Sequence, residues 1–186
     1  MSHDIMLDLE TLATTPDAAI LSIGAVRFDL DAGQVFDQPE ATFYTAISID
    51  SQRGRVISSS TLAWWFMQSQ QAQQVFFDPD MVSLASALDQ LTSWIDPQPG
   101  TAPKVWSNGA DFDLPMLVHA FDQFDYTLPW QPYAGRCYRT YKNLLGAKAV
   151  KVERSGQHHN ALDDAIFQAR HLCAIHREIF SSEVAA

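Results

Sequence analysis

Residues 4–10 read Asp4-Ile5-Met6-Leu7-Asp8-Leu9-Glu10. The apolar run over residues 4–9 predicts a buried strand. Side chains alternate along a strand, so Asp8 and Glu10 project to the same side. Two carboxylates at the mouth of an apolar strand are costly to hold together unless a cation neutralises them. Working outward, residues 19–29 are rich in β-branched and apolar side chains and predict a second strand. Residues 41–49 alternate and predict a third. A serine among Ser58, Ser59 and Ser60 caps an expected helix running through Trp64 to about residue 74. A second helix is expected over about 81–95, and a short central strand over 104–107. A helix over about 113–124, a short strand near Gly135 and a helix over about 138–145 follow. The last helix is expected over about 160–179, with Leu162, Ala165, Ile166, Ala169, Leu172 and Cys173 as its apolar stripe. Three early strands, then alternating helix and strand, predict an α/β fold: a mixed five-stranded sheet flanked by helices on both faces. Ligands on such sheets sit at strand ends near a topological switch.

The chain has 186 residues, 47% hydrophobic and 18% charged, as expected for one globular domain spanning 1–186. Pro97, Pro99, Gly100 and Pro103 mark a loop inside that domain, because strand-like sequence resumes directly after it. No apolar run approaches the roughly 18 residues of a membrane span. The N-terminus lacks the basic region and cleavage site of a signal peptide. With two cysteines, Cys137 and Cys173, there is no disulfide framework, and the expected location is the cytoplasm. A net charge of −10 argues against long duplex tracking, because phosphate binding leaves a basic footprint. The distribution softens that objection. Arg136, Arg139, Lys142, Lys148, Lys151 and Arg154 make up half of the 12 basic residues. They precede the strongest motif as a local phosphate track.

Two further motifs carry chemistry. Asn108-Gly109-Ala110-Asp111-Phe112-Asp113 follows a strand and opens a helix, so its acids also lie near a strand end; capping by Asp111 or Asp113 is the plain structural alternative. His158-His159-Asn160-Ala161-Leu162-Asp163-Asp164 opens the last helix, and a histidine beside two acids suits general acid–base work. Spacing does not choose between His159 with Asp164 and His158 with Asp163.

In this order the three motifs resemble the DnaQ-like exonucleases of the DEDDh class, which share an RNase H-like fold. That class is marked by D-x-E, a later Asp usually preceded by Phe, and H-x4-D. Asp8 and Glu10 match the first motif and Phe112-Asp113 the second, which favours Asp113 over Asp111. The wider pattern H-x-A-L-x-D selects His159 and Asp164. The resemblance covers about residues 4–175. Within the superfamily, Trp106 to Asp113, the tandem Trp64-Trp65 and Arg139-Thr140-Tyr141 resemble a bacterial and phage group of Rv2179c-like 3′–5′ exoribonucleases. One departure is that Arg136-Cys137-Tyr138-Arg139-Thr140 stands where many of these enzymes carry an Asp-Thr pair.

The resemblance implies a 3′–5′ exonuclease that hydrolyses phosphodiester bonds at the 3′ end of single-stranded RNA or DNA and releases nucleoside 5′-monophosphates. Asp8, Glu10, Asp113 and Asp164 would hold two Mg²⁺ ions, with Mn²⁺ able to substitute, because all-oxygen ligands select hard cations. His159 would be the general base. Thr11 and Leu12, just after the first motif, would line the terminal-nucleotide pocket, and Asn108 would contact substrate. Trp64, Trp65 and Phe112 are candidate stacking platforms; adjacent tryptophans on a helix face different ways, so one of the pair at most reaches the site. Arg139, Lys142 and Arg154 are candidate phosphate contacts. The aromatic stretch from Trp64 to Phe77 is a candidate homodimer face. The competing readings are an endonuclease on the same scaffold and a non-catalytic nucleic-acid-binding domain. RNA is slightly favoured over DNA, because the resemblance is to exoribonucleases.

Overall fold

The computed structural model describes residues 4–95, 103–109, 111–144 and 147–181. Pro97, Pro99 and Gly100 of the expected loop, Ala110 of the second motif and Leu145 at an expected helix end lie outside the described residues. The chain runs β1 (Asp4–Thr11), β2 (Ile20–Asp29), β3 (Gln34–Phe36), β4 (Thr42–Ala46), α1 (Ser59–Phe66), α2 (Leu84–Ile95), β5 (Val105–Ser107), α3 (Asp113–Gln123), β6 (Gly135–Cys137), α4 (Tyr138–Lys142) and α5 (Ala161–Ser181).

The sheet has six strands, one more than the expected five. Its order is β3-β2-β1-β5-β6, with β4 also paired to β2. The additional strand is β3, which pairs antiparallel with Arg27 to Asp29. Three residues are too few to show alternation in sequence. The turn before it is set by Gly33 in the left-handed region (φ +68°) and by Asp29, whose carboxylate accepts from the Ala32 amide at 2.8 Å. β2 antiparallel to β1 and β5 parallel to it make the sheet mixed, as expected.

Alternation along β1 divides the core. Ile5, Leu7 and Leu9 enter a cluster with Leu84, Leu88 and Leu91 of α2 and Leu117 and Phe121 of α3. Met6 enters the opposite cluster with Val26, Phe28, Trp106 and the α5 residues Ala165, Ala169, Leu172 and Cys173. Asp8 and Glu10 share the parity of Met6, so they lie on the α5 face of the sheet. Asp8 pairs with Gly24 and Glu10 with Ser22 on β2.

Gly24 explains how α5 reaches them. A Cβ there would stand 2.1 Å from the Ala161 carbonyl carbon. Only a glycine lets the first turn of α5 rest on the strand beside Asp8.

Helix α1 stops at Phe66 instead of running to about residue 74. The Gln73 amide donates to the carbonyls of Trp65, Phe66 and Gln68 at 3.2, 3.3 and 3.0 Å. These are the acceptors a helix end leaves open, and the chain turns into a 3₁₀ segment, Ala72–Phe77. Its start carries no side-chain cap from Ser58, whose hydroxyl instead meets Ser60 Oγ at 2.8 Å. Among the described residues no helix is long and apolar enough to cross a membrane.

Candidate active site

Two helices, α3 and α5, converge on the C-terminal half of β1. β5 pairs with β1 only at Ile5 and Met6. Beyond that pairing, Asp113 in the first turn of α3 takes over: its Oδ1 accepts from the Leu9 amide at 3.1 Å. The strand backbone between Asp8 and Glu10 thus fixes the third acid, which is buried.

From the other side comes the start of α5. Asn160 Oδ1 accepts from the amides of Leu162 and Asp163 at 3.2 and 3.1 Å, a side-chain cap that sets where the helix begins. Just before it, His159 adopts φ +60°, a conformation uncommon outside glycine. Its amide donates to Asp164 Oδ2 at 3.1 Å. Side-chain ligand atoms of Glu10, His159 and Asp164 all lie within 4.8 Å of one another.

The alternative pair is split: His158 lies at the rim of the same cleft as Glu10 and His159, while Asp163 turns away. His158 is exposed, and Asp163 Oδ2 accepts from the Gln157 amide at 2.7 Å. Asp163 packs over Gly156, where an added Cβ would stand 2.5 Å from its carboxyl carbon. The geometry therefore sets His159 and Asp164 facing Glu10 and turns Asp163 into the preceding loop.

Crowding shapes the electrostatics. Burial, then the charges of Asp113 and Glu10, push Asp8 well above the ordinary carboxylate range, against a hydrogen bond from Gln168 and the charge of Arg154. Glu10 is pushed up to about 8 by burial and by Asp113, with Arg154 opposing. Asp113 is raised to about 7 by burial, against the Leu9 amide. Burial and the neighbouring His158 and Arg154 lower His159, which keeps its ring neutral at neutral pH. Carboxylates gathered in a partly dry cleft are stabilised by cations. Oxygen donors with one nearby imidazole suit Mg²⁺ or Mn²⁺, so the donor set fits divalent metal.

Two clefts meet at Leu9 and Glu10. One, of about 330 Å³, is lined by Asp8, Glu10, Asn108, Tyr138, Lys142, Arg154, His159, Asp164 and Gln168 among others. The other, of about 350 Å³, is lined by Glu10, Thr11, Ser60, Thr61, Trp64 and Phe112 among others. Thr11, Trp64 and Phe112 thus line the second cleft and Asn108 the first. Of the tandem tryptophans only Trp64 faces it, with its ring 4.8 Å from that of His159. Trp65 is buried, and its indole donates to the Thr11 carbonyl at 2.9 Å.

Leu12 is a correction. It was expected beside the terminal base, yet it is fully buried in a cluster with Trp65, Ala72 and Val75. The register between β1 and β2 shifts just after Glu10, and Leu12 falls on the inner side of that bend. Arg139 is also placed differently from a cleft-facing phosphate contact: it donates to the Asn108 carbonyl at 2.6 Å and braces the loop after β5.

Arg154, expected as a phosphate contact, is engaged within the site, and Gln168 and Gly24 were not singled out in the sequence. Arg154 forms an ion pair with Asp164 and stacks its guanidinium 4.8 Å above Phe167. Gln168 donates to Asp8 Oδ1 at 2.7 Å. Gly24 admits α5. The signals were present: Gln168 lies four residues after Asp164 on one helix face, and a glycine inside a β-branched strand marks a close approach.

Comparison with solved structures agrees with the sheet. The nuclease domain of 3′hExo, a DEDDh family member bound to rAMP, matches with a TM-score of 0.60 at 13% identity, over 96% of this chain and 92% of that one. S. pombe Pop2p in its Mg²⁺- and Mn²⁺-bound form gives 0.67 at 13%, over 96% and 84%. The E. coli ExoI–ssDNA complex in its zinc-bound form gives 0.69 at 14%, over 98% and 42%. At such identities these likenesses show the RNase H-like fold. An exodeoxyribonuclease of Enterobacteria phage T4 is 27% identical over 125 residues, which is 62% of this chain and 54% of the phage protein. The chain thus spans about half the length of that relative. The 3′-5′ exoribonuclease Rv2179c-like domain matches residues 3–176, nearly the whole chain, and the chain belongs to that family of 3′–5′ exonucleases.

Proposed function

We propose that this chain removes nucleotides one at a time from the 3′ end of single-stranded RNA and releases nucleoside 5′-monophosphates. The observation that carries the reading is the convergence of Glu10, His159 and Asp164 within 4.8 Å, beside a nucleotide-sized pocket that shares the Glu10 wall. Asp8, Glu10, Asp113 and Asp164 would hold two Mg²⁺ ions, or Mn²⁺ in their place. Bound there, the cations supply positive charge for the oxygens on which negative charge builds during in-line displacement at phosphorus.

The remaining work falls to side chains. Trp64 and Phe112 form the apolar walls of the pocket for the terminal base, where stacking contributes roughly 1–3 kcal/mol and tolerates any sequence. Thr11 also lines this pocket, and its backbone would meet the terminal sugar. Lys142 and Arg154 offer positive charge along the 330 Å³ cleft. His159, kept neutral by its surroundings, accepts the proton of the attacking water. The exposure of Phe66, Met67 and Phe77 supports reading the aromatic segment as a homodimer face. A monomer mass by light scattering at micromolar concentration would exclude that assembly.

A DNA substrate is the second reading, favoured by the phage relative's description as an exodeoxyribonuclease. The two sugars differ by one 2′-hydroxyl. A cleavage time course on 5′-labelled RNA and DNA of matched sequence, with Mg²⁺, Mn²⁺ or EDTA, separates them. Faster shortening of RNA, stopped by EDTA, is expected. Faster shortening of DNA would reverse the substrate assignment, and EDTA-resistant cleavage would remove the metal from it.

A further inference from the structure

Gln168 sits on α5 one turn beyond Asp164 and is 5% exposed. Its side-chain nitrogen donates to Asp8 Oδ1 at 2.7 Å. In the ionised form that would hold a cation, the Asp8 oxygen accepts, so the amide nitrogen faces Asp8 and the amide oxygen faces away. That oxygen is buried and has no hydrogen-bond partner among the described residues. Burying an amide oxygen without a donor costs about 1–3 kcal/mol. A leucine or methionine would fill the same volume on the helix without that cost. A donor that arrives with a ligand would remove that cost.

The position narrows the donor. Gln168 lines the cleft together with Asp8, Glu10 and Asp164, the side chains that would hold divalent metal. Water polarised by a cation is a strong hydrogen-bond donor. Groups that hydrogen-bond to metal-holding side chains fix their rotation and tune affinity. We propose that Gln168 is a positioning residue for the divalent cation: its nitrogen fixes the Asp8 carboxylate, and its Oε1 accepts from water in the cation's hydration shell. The proposal rests on the reading of Asp8 as a metal-holding residue.

Gln168→Met keeps the shape and removes both hydrogen-bonding functions. Its Mn²⁺ affinity, measured by titration calorimetry without nucleic acid, is expected to fall about 10- to 100-fold, with cleavage recovering as Mn²⁺ is raised. In wild-type protein labelled with ¹⁵N, the Gln168 side-chain amide signal is expected to shift on Mg²⁺ saturation. Wild-type Mn²⁺ affinity in Gln168→Met overturns the proposal. If that variant does not fold, an amide signal indifferent to Mg²⁺ overturns it equally. Asp8→Asn serves as the reference. Equal Mn²⁺ binding by wild type and Asp8→Asn would sink the carboxylate reading itself, and the proposal with it. Weakened binding in Asp8→Asn but not in Gln168→Met would sink the proposal alone.

Discussion

The register of the last motif is decided by a backbone conformation that spacing does not encode. Both His-x4-Asp pairs fit the sequence. The left-handed His159 and the Asn160 cap turn His159 toward Glu10 and leave His158 exposed. His159→Ala is therefore expected to lose about 10²–10⁴-fold in cleavage rate, the usual contribution of a general base, while His158→Ala stays within a few-fold. Single-turnover assays of the two variants check this, and the opposite ranking would shift the assignment by one residue. Asp113→Ala is expected to abolish cleavage while circular dichroism remains native. Near-normal turnover would mean that Asp113 has no place in the chemistry. The acids and His159 were legible because their residue types and order are specific. Leu12 was not, because its burial depends on a shift in strand register just after Glu10.

Strands and helices were legible where their periodicity ran long enough. β1, β2, α3 and α5 appear within a residue or two of their expected bounds. β3 was missed because three residues carry no period, and α1 was overextended because its stop is made by the Gln73 side chain reaching back. The approach of α5 to β2 was also hidden, since it requires knowing which elements touch. It gives a sharp test. Gly24→Ala would place a methyl group against the backbone of Ala161 and Leu162, so the α5 start must lift from Asp8. Loss of cleavage and a melting temperature lower by several degrees are expected. Gly33→Asn, at a left-handed turn with open space around it, is expected to change neither, because asparagine tolerates that conformation. Thermal melts with matched activity assays would show whether the close approach matters.

Gathering acids at the end of the central strand β1 makes the whole molecule's stability depend on pH and metal. Glu10 and Asp113 are raised to about 8 and 7, against roughly 4 in an unfolded chain. Between those values the unfolded chain has released protons that the folded one retains, so stability falls as pH rises. Metal-free protein in EDTA is expected to melt at progressively lower temperature from about pH 5 to pH 8. Mg²⁺ should offset most of that loss at pH 8, and Glu10→Gln should flatten the slope. A melting temperature that climbs with pH in EDTA would contradict the electrostatic picture. The fold itself brings the acids together: β1 carries two, α3 delivers the third to a strand amide, and α5 lands the fourth with His159. The most direct test of this arrangement is a time course on 5′-labelled single-stranded RNA in Mg²⁺, with wild type and Asp164→Asn side by side. A wild-type ladder that shortens by single nucleotides from the 3′ end and an inert Asp164→Asn are expected. Internal fragments, shortening from the 5′ end, or equal cleavage by Asp164→Asn would contradict it.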